Sequence, residues 1–369
     1  MSSLSLQRNK SQEDSNIITN TCCTIRELDT GIHYQNVSNH FTVIDNLTKW
    51  LSVAILAGII VFNTLVITLL FRTKKKSRMG FFVQNLAIAD LCVGLIYSLP
   101  EVLAVRFDVG WEENMCYIFK GMSMFPIYVS TFAIVTLSLD RLYVIVRPVS
   151  SIARGRKYRF CLVISCWFAA LFLSIPGVIH VKYEKEQSDC FHDFGHLTKF
   201  ILMFDINVNL TIPALIIGTC YTCIVITIWK RERSTYLEEG TATSRCKRKN
   251  IKNDRSRKLR CSKVIANAKI KTIKLLFVVV TAYIVCWTPV CVGTSLLVWD
   301  KIKYGTTYKL LFVLAPLNSL VNPLVFLLFN RKMFKENVKT LKKIYIIGTF
   351  TASFYTHLSS KSSTRLSGN

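Results

Sequence analysis

"CYIFKGMSMFPIYVSTFAIVTLSLDR", residues Cys116–Arg141, is the stretch that decides the fold. It is apolar except at Lys120 near one end and the Asp140-Arg141 pair at the other. As a helix rising about 1.5 Å per residue it reaches roughly 37 Å, enough to cross a hydrocarbon core roughly 30 Å thick. A cysteine at one face, a charge pair at the other and almost nothing ionisable between them suit a device that takes a signal on one side of a membrane and delivers it on the other.

The rest of the chain repeats the pattern. Besides Cys116–Leu139, apolar runs of spanning length occupy Trp50–Phe71, Met79–Ala104, Phe160–Val181, Phe200–Trp229, Leu275–Trp299 and Leu310–Asn330. Four of the seven hold no Asp, Glu, Lys or Arg, which a soluble helix with a solvated face does not achieve. The 51% hydrophobic content is close to that of soluble proteins, so distribution rather than total decides. The sequence therefore predicts an all-α membrane protein, a seven-transmembrane helix bundle. Its spans are expected at about residues 50–71, 79–104, 116–141, 160–181, 200–229, 269–299 and 308–330 within a domain of residues 50–330.

The net charge of +25 raises the question of nucleic acid, and the placement of the 47 Lys and Arg answers it. Five lie in Arg72–Arg78, five in Arg147–Arg159, sixteen in Lys230–Lys274 and eight after Asn330. These are alternate loops and the tail, so one side of the membrane is basic and by the positive-inside rule is cytoplasmic. A basic face beside anionic lipid explains the charge, and no nucleic-acid partner is expected. The expected setting is a plasma membrane crossed several times, with residues 1–49 an extracellular tail and the carboxyl terminus inside. Residues 1–49 hold no apolar stretch of signal-peptide type, so the first span acts as its own insertion signal. Sequons at Asn9 and Asn36 fit glycosylation of that tail; Asn46 is too near the membrane.

Most of the thirteen cysteines sit in apolar runs as small hydrophobes. Cys116 and Cys190 instead fall outside, in the oxidising compartment and within reach of one another. Cys22 and Cys23 are outside too, with no assigned partners, and no cysteine follows Cys291, which excludes a palmitoyl anchor on the tail.

Polar residues inside the spans are the functional candidates. Asp90 lies about halfway across the bilayer, with Asn63, Ser130, Asn318, Ser319 and Asn322 at similar depth as partners for a hydrated cluster suited to a sodium ion or a proton-sensitive switch. Asp205 and Asn209 share one helix face above Pro213, with Tyr221 further in. Pro176 is expected to bend or end the fourth span, and Pro289 to kink the sixth into a hinge. Pro323, beside Asn322, centres a bend in the seventh. The loop at about residues 231–268 is too charged for a core, with its ends extending the fifth and sixth helices. In residues 331–369, Met333, Phe334, Val338, Leu341, Ile344 and Tyr345 at helical spacing predict an amphipathic cytosolic helix on the inner leaflet. The Ser- and Thr-rich end from Thr349 is a phosphorylation tail.

These residues together resemble the rhodopsin-like class of G-protein-coupled receptors, over all seven spans. The resemblance rests on Asn63, "LAIAD" ending at Asp90, Cys116, the Asp140-Arg141 pair, Trp167, Pro213, Tyr221, "CWTP" (Cys286–Pro289) and "NPLVF" (Asn322–Phe326), in order. It implies a Cys116–Cys190 disulfide, a heterotrimeric G protein contacted by Arg141 when the sixth helix swings at Pro289, and Trp287 as the link from ligand to swing. Arrestin and a receptor kinase at the tail are implied partners. Within the class, "SRMGFFVQNLAIADL" and "AKIKTIKLLFVVVTAYIVCWTP" look like the vasopressin and oxytocin receptor group and its relatives, the neuropeptide S and crustacean cardioactive peptide receptors. Lys120 matches the pocket lysine of the vasopressin-type receptors. A peptide ligand is expected over an amine, because the acid that amine receptors use falls at Ser123. The expected pocket is Glu101, Lys120, Ser123, Asp205 and Trp287, with Glu101 and Lys120 either paired or receiving opposite charges of the ligand.

Departures from the family accompany the matches. Leu142 replaces the usual Tyr after the Asp140-Arg141 pair, Phe326 replaces the Tyr ending the seventh-span motif, and Lys269 stands where many members carry an acid that locks Arg141. Phe326 lacks the hydroxyl for a water-mediated contact with Tyr221, altered basal activity follows as an expectation, and Asp140 with packing is left to hold the resting state. Gly177, Val290 and Cys291 replace the glutamine and aromatic pair of the vasopressin pocket. A transporter or channel also places acids at the midplane, but no inverted repeat is visible and seven spans do not divide evenly. An enzyme is not expected: there is no H-E-x-x-H, no G-x-S-x-G, and the six His are scattered over tail, loops and span ends, without metal-ligand spacing.

Overall fold

The structure is a computed structural model that describes residues 43–73, 77–107, 109–148, 150, 155–242, 252–299, 301 and 306–331. Helices α1 (Val43–Arg72), α2 (Arg78–Ala104), α3 (Glu113–Val146), α4 (Gly155–Ile179), α5 (Gly195–Arg231, continuing to Ala242), α6 (Lys252–Val298) and α7 (Thr306–Phe329) form the bundle. Six have apolar stretches long enough to cross a membrane, and α7 has a shorter one, Val313–Phe329. Backbone groups satisfied inside each helix are what a chain in hydrocarbon requires.

α3 is the central post: 61% of its apolar window is buried by neighbouring helices, against 22% for α4 and for α5. Val129, Ala133 and Ile134 of α3 are fully buried, packed with Leu86 and Ala89 of α2, Ile217 of α5 and Tyr283 of α6 in one core. The outward faces of α4 and α5 expose Phe168, Phe172, Phe200 and Leu215, apolar surface whose natural contact is lipid. The Trp167 indole donates to Asn85 Oδ1 at 2.9 Å, tying α4 to α2.

Two departures from a plain bundle position the site. Between α4 and α5, β1 (Val181–Glu184) and β2 (Asp189–His192) form an antiparallel hairpin with Val181 opposite His192. A disulfide joins Cys116 at the start of α3 to Cys190 of β2, Cα to Cα 5.7 Å, and Trp111 and Val181 pack around it. Gly110 lets the chain before α3 meet the hairpin turn: its φ is +76°, and a Cβ there lies 3.2 Å from Ser188 Cβ. Secondly, α2, α3 and α5 widen into π-helical segments at Val93–Ser98, Val102–Arg106, Cys116–Lys120 and Asn207–Thr211, all in the halves nearer the hairpin. In α3 the Gly121 N–H reaches five residues back to the Cys116 carbonyl at 3.4 Å. Each widening rotates the side chains beyond it and breaks the regular pairing of backbone groups.

The helices extend beyond the expected spans. α1 starts at Val43, inside the expected tail. α4 carries Pro176 internally and continues to Ile179, so Val181 belongs to the hairpin. α5 runs to Ala242 and α6 begins at Lys252, so helix replaces most of the expected loop; Lys, Arg and Glu are good helix formers and need no core once the chain has left the lipid. Asn9, Cys22, Cys23, Asn36, the expected amphipathic helix and the tail lie outside the described residues, as does the side chain of Lys269.

Candidate functional site

Beneath the hairpin, α2 and α3 bring Glu101 and Lys120 together, Nζ to Oε2 3.3 Å. Of the two arrangements open to these residues, the structure shows the paired one. Lys120 also lies 5.9 Å from the Trp111 ring centroid, so the hairpin and the segment before α3 wall in the ammonium. Ser123 Oγ is 3.4 Å from His192 Nε2, and the His192 ring stacks on Phe194 at 5.6 Å. Burial, then the charges of Lys120 and His180, push the His192 imidazole down to about 4, so it is neutral at ordinary pH. Gly177, the position that holds glutamine in the vasopressin-type pocket, packs tightly here: a Cβ on it lies 3.0 Å from Met124 Sδ and 3.4 Å from the Gly121 carbonyl.

Asp205 joins a second network, away from Glu101 and Lys120. Its Oδ1 accepts from the Tyr128 hydroxyl and from Asn209 Nδ2, each at 2.8 Å. The Tyr283 hydroxyl of α6 donates to the Asn209 carbonyl, inside the widened turn of α5, and Thr131 Oγ1 stands 3.5 Å from Asn209 Oδ1. Asp205, expected to line the pocket, is thus bound to Tyr128 of α3 and to Asn209 of its own helix, and Asn209 in turn meets Tyr283 of α6. Trp287 sits beside Tyr283, ring centroids 6.4 Å apart, its buried Nε1 without a hydrogen bond among the described residues. It lines a narrow cavity with Ser130, Asn318 and Ser319.

Ser130, which lines that cavity, also reaches Asp90, which is fully buried. Ser130 donates to its Oδ1 at 2.6 Å and Asn322 Nδ2 to its Oδ2 at 3.0 Å. Asn63 stands one step removed, donating to the Ile59 and Ser319 carbonyls at 3.0 and 3.1 Å. The side-chain carbonyl oxygens of Asn63, Asn318 and Asn322 are buried without donors. A carboxylate among unsatisfied oxygens is the donor set that a small hard cation with its water takes.

At the end of the bundle away from the hairpin, Asp140 and Arg141 form an ion pair at 2.6 Å, and Asp140 has no exposure. Arg78 at the start of α2 binds the same carboxylate at 2.8 and 2.6 Å. The Tyr221 hydroxyl donates to the Ile273 carbonyl of α6 at 3.2 Å, and its ring meets Phe277 at 6.1 Å. Phe326 packs in the apolar core. Pro289 lies within α6 and Pro323 within α7.

Sequence reasoning missed Arg78, Trp111, Tyr128, Tyr283 and His192. Arg78 was read as one more charge of a basic loop, although Ser77 before it caps α2, its Oγ accepting the Gly80 N–H at 2.9 Å. A Ser before an apolar run is the signal that places Arg78 on the helix. Tyr128 and Tyr283 lie in runs whose only message is hydrophobicity.

Residues 62–326 match the family model described as 7 transmembrane receptor (rhodopsin family). The chain is 31% identical over 293 residues to an oxytocin receptor of Ovis aries, covering 75% of this chain and 74% of that one. It is 30% identical over 276 residues to a mesotocin receptor of Rhinella marina, covering 71% and 68%, and 30% over 277 residues to an isotocin receptor of Catostomus commersonii, covering 72% and 69%. The proteins it resembles are receptors and not enzymes.

Proposed function

Because the chain belongs to the rhodopsin family of seven-transmembrane receptors, we propose that it binds an extracellular peptide of the vasopressin and oxytocin type and activates a heterotrimeric G protein. The observation that carries this reading is a succession of buried or half-buried polar groups at three levels along the bundle. It runs from Glu101–Lys120 under the hairpin, through Trp287 and the Asp90 cluster, to Asp140–Arg141 at the basic end. On this reading the hairpin end is extracellular and the basic end cytoplasmic.

The ligand displaces the Glu101–Lys120 pair, which is partly exposed and set at 3.3 Å, so separating it costs little. A ligand can shift the receptor only as far as it prefers one state. Its carbonyls take Lys120, its cationic or amide groups take Glu101, and contact with Trp287 biases α6 about Pro289. A sodium ion would fit the Asp90 cluster: Asp90, Ser130, Asn318 and Ser319 would hold it, and it would supply the charge that balances the buried carboxylate. At the other end, Arg141 leaves Asp140 and offers its donors to backbone carbonyls of the G protein. Arrestin and a receptor kinase act at the tail.

The test is expression in a mammalian cell line and challenge with cyclic nonapeptides of the oxytocin type and a wider neuropeptide panel, read by calcium and cyclic nucleotide. Lys120→Ala and Glu101→Ala are each expected to weaken the active peptide at least tenfold at normal surface expression, about 1.4 kcal/mol. Unchanged potency in both variants overturns the pocket assignment.

A further inference from the structure

The buried carboxylate of Asp140 holds two guanidinium groups, one on each oxygen. Arg141 Nη2 binds Oδ2 at 2.6 Å, and Arg78 brings Nε and Nη2 to Oδ1 at 2.8 and 2.6 Å. Arg78 is itself held in place. Its guanidinium lies 5.9 Å from the Tyr143 ring of α3 and 5.8 Å from the Tyr158 ring of α4, and those rings meet each other at 5.0 Å. The Ser77 cap fixes the turn of α2 from which it projects. Two helices thus meet on one carboxylate, and α4 packs against Arg78 through Tyr158.

A carboxylate without exposure needs both oxygens satisfied, since an unmet charge in the interior is costly. If Arg78 is removed, Oδ1 loses both donors, and Asp140 must rotate, hydrate or take up a proton. Each of these loosens its hold on Arg141, whose buried Nε has no hydrogen-bond partner among the described residues. Position 269 of α6 is Lys and carries no acid to compensate. We infer that Arg78 is a positioning residue of the signalling switch: from α2 it orients Asp140 so that Asp140 retains Arg141, supplying the restraint that position 269 does not. This rests on the reading of Arg141 as the G-protein contact.

Two measurements on the full chain test it. The first is basal guanine-nucleotide exchange on purified heterotrimeric G proteins of the four classes, in membranes matched for receptor density. Arg78→Ala is expected to raise it by roughly fivefold or more, the low end of a coupling between sites. Arg78→Lys, which keeps the charge and loses the fork, raises it less. Arg72→Ala, a charge removed from the exposed end of α1, leaves it unchanged. In an Asp140→Asn background, Arg78→Ala adds nothing.

The second measurement is the melting temperature of detergent-purified protein in the same double-mutant cycle, where the two losses are expected to be non-additive. Basal exchange that is unchanged or lowered in Arg78→Ala, an equal rise with Asp140→Asn, or additive melting shifts overturn the inference. If neither the native chain nor any variant catalyses exchange on any class, with peptide or without, the receptor reading has failed instead; the melting cycle then decides the Arg78–Asp140 coupling by itself.

Discussion

His192 shows how a single residue reports its surroundings. Its side chain lies between Ser123, Phe194, Lys120 and His180, which keep it neutral with a pKa of about 4. The unfolded chain binds a proton near 6.5 that the folded one refuses, so stability is unaffected above that value and falls as pH drops from 6.5 towards 4, by at most about 1.4 kcal/mol per unit. The melting temperature of the detergent-purified protein is expected to fall more steeply across this window than that of His192→Gln; parallel curves would show that the ring is not held neutral. Asp90 sets the second residue-scale expectation. Asp90→Asn keeps the size and most hydrogen bonds while removing the charge that a cation needs. Peptide affinity measured in sodium chloride and in choline chloride is expected to differ several-fold in the native chain and to be equal in the variant.

At the scale of elements, the junction of α5 and α6 is the most informative. The widened turn at Asn207–Thr211 takes the Asn209 carbonyl out of a regular ladder, and the Tyr283 hydroxyl of α6 donates to it. Further along, Tyr221 donates to the Ile273 carbonyl. Two hydrogen bonds from side chain to backbone therefore hold α6 against α5, one on either side of the packed core. Tyr283→Phe leaves a buried carbonyl without its donor at a cost of about 1–2 kcal/mol. Because the lost bond restrains α6, melting temperature should fall while basal nucleotide exchange rises. A fall in both would assign Tyr283 to folding alone. The helices themselves were legible in the sequence, since runs such as Trp50–Phe71 allow no other solution in lipid. The hairpin was not, because Val181–Glu184 and Asp189–His192 are short and their pairing is set by Cys190 meeting Cys116.

The whole molecule is a lever with chemically separate ends. The hairpin end presents Glu101, Lys120 and Ser123, the other end Arg78, Asp140 and Arg141, and α3 runs through both. Separate ends give separable defects. Arg141→Ala is expected to abolish agonist-driven nucleotide exchange while leaving peptide affinity in the absence of G protein within about twofold, because the proposed peptide site lies at the other end. Loss of binding and exchange together would mean that Arg141 supports the fold.

By itself the sequence determined the membrane fold, the count and order of spans, the basic end and the candidate residues of the proposed switch. Asp90, Cys116, Lys120, Arg141 and Trp287 were found because a charge, a reactive thiol or a proline-flanked aromatic is conspicuous in an apolar run. Only the tertiary structure decided which groups pair. It joined Glu101 to Lys120, bound Asp205 to Tyr128 and Asn209, and set Arg78 on Asp140 across 62 residues of chain. The physical reason is that hydrophobicity acts through area and has no direction, so it is readable from composition along a run. Hydrogen bonds and ion pairs are directional and short in range, and depend on helix rotation, which widened turns and close approaches such as Gly177 on Met124 fix only once the bundle has packed.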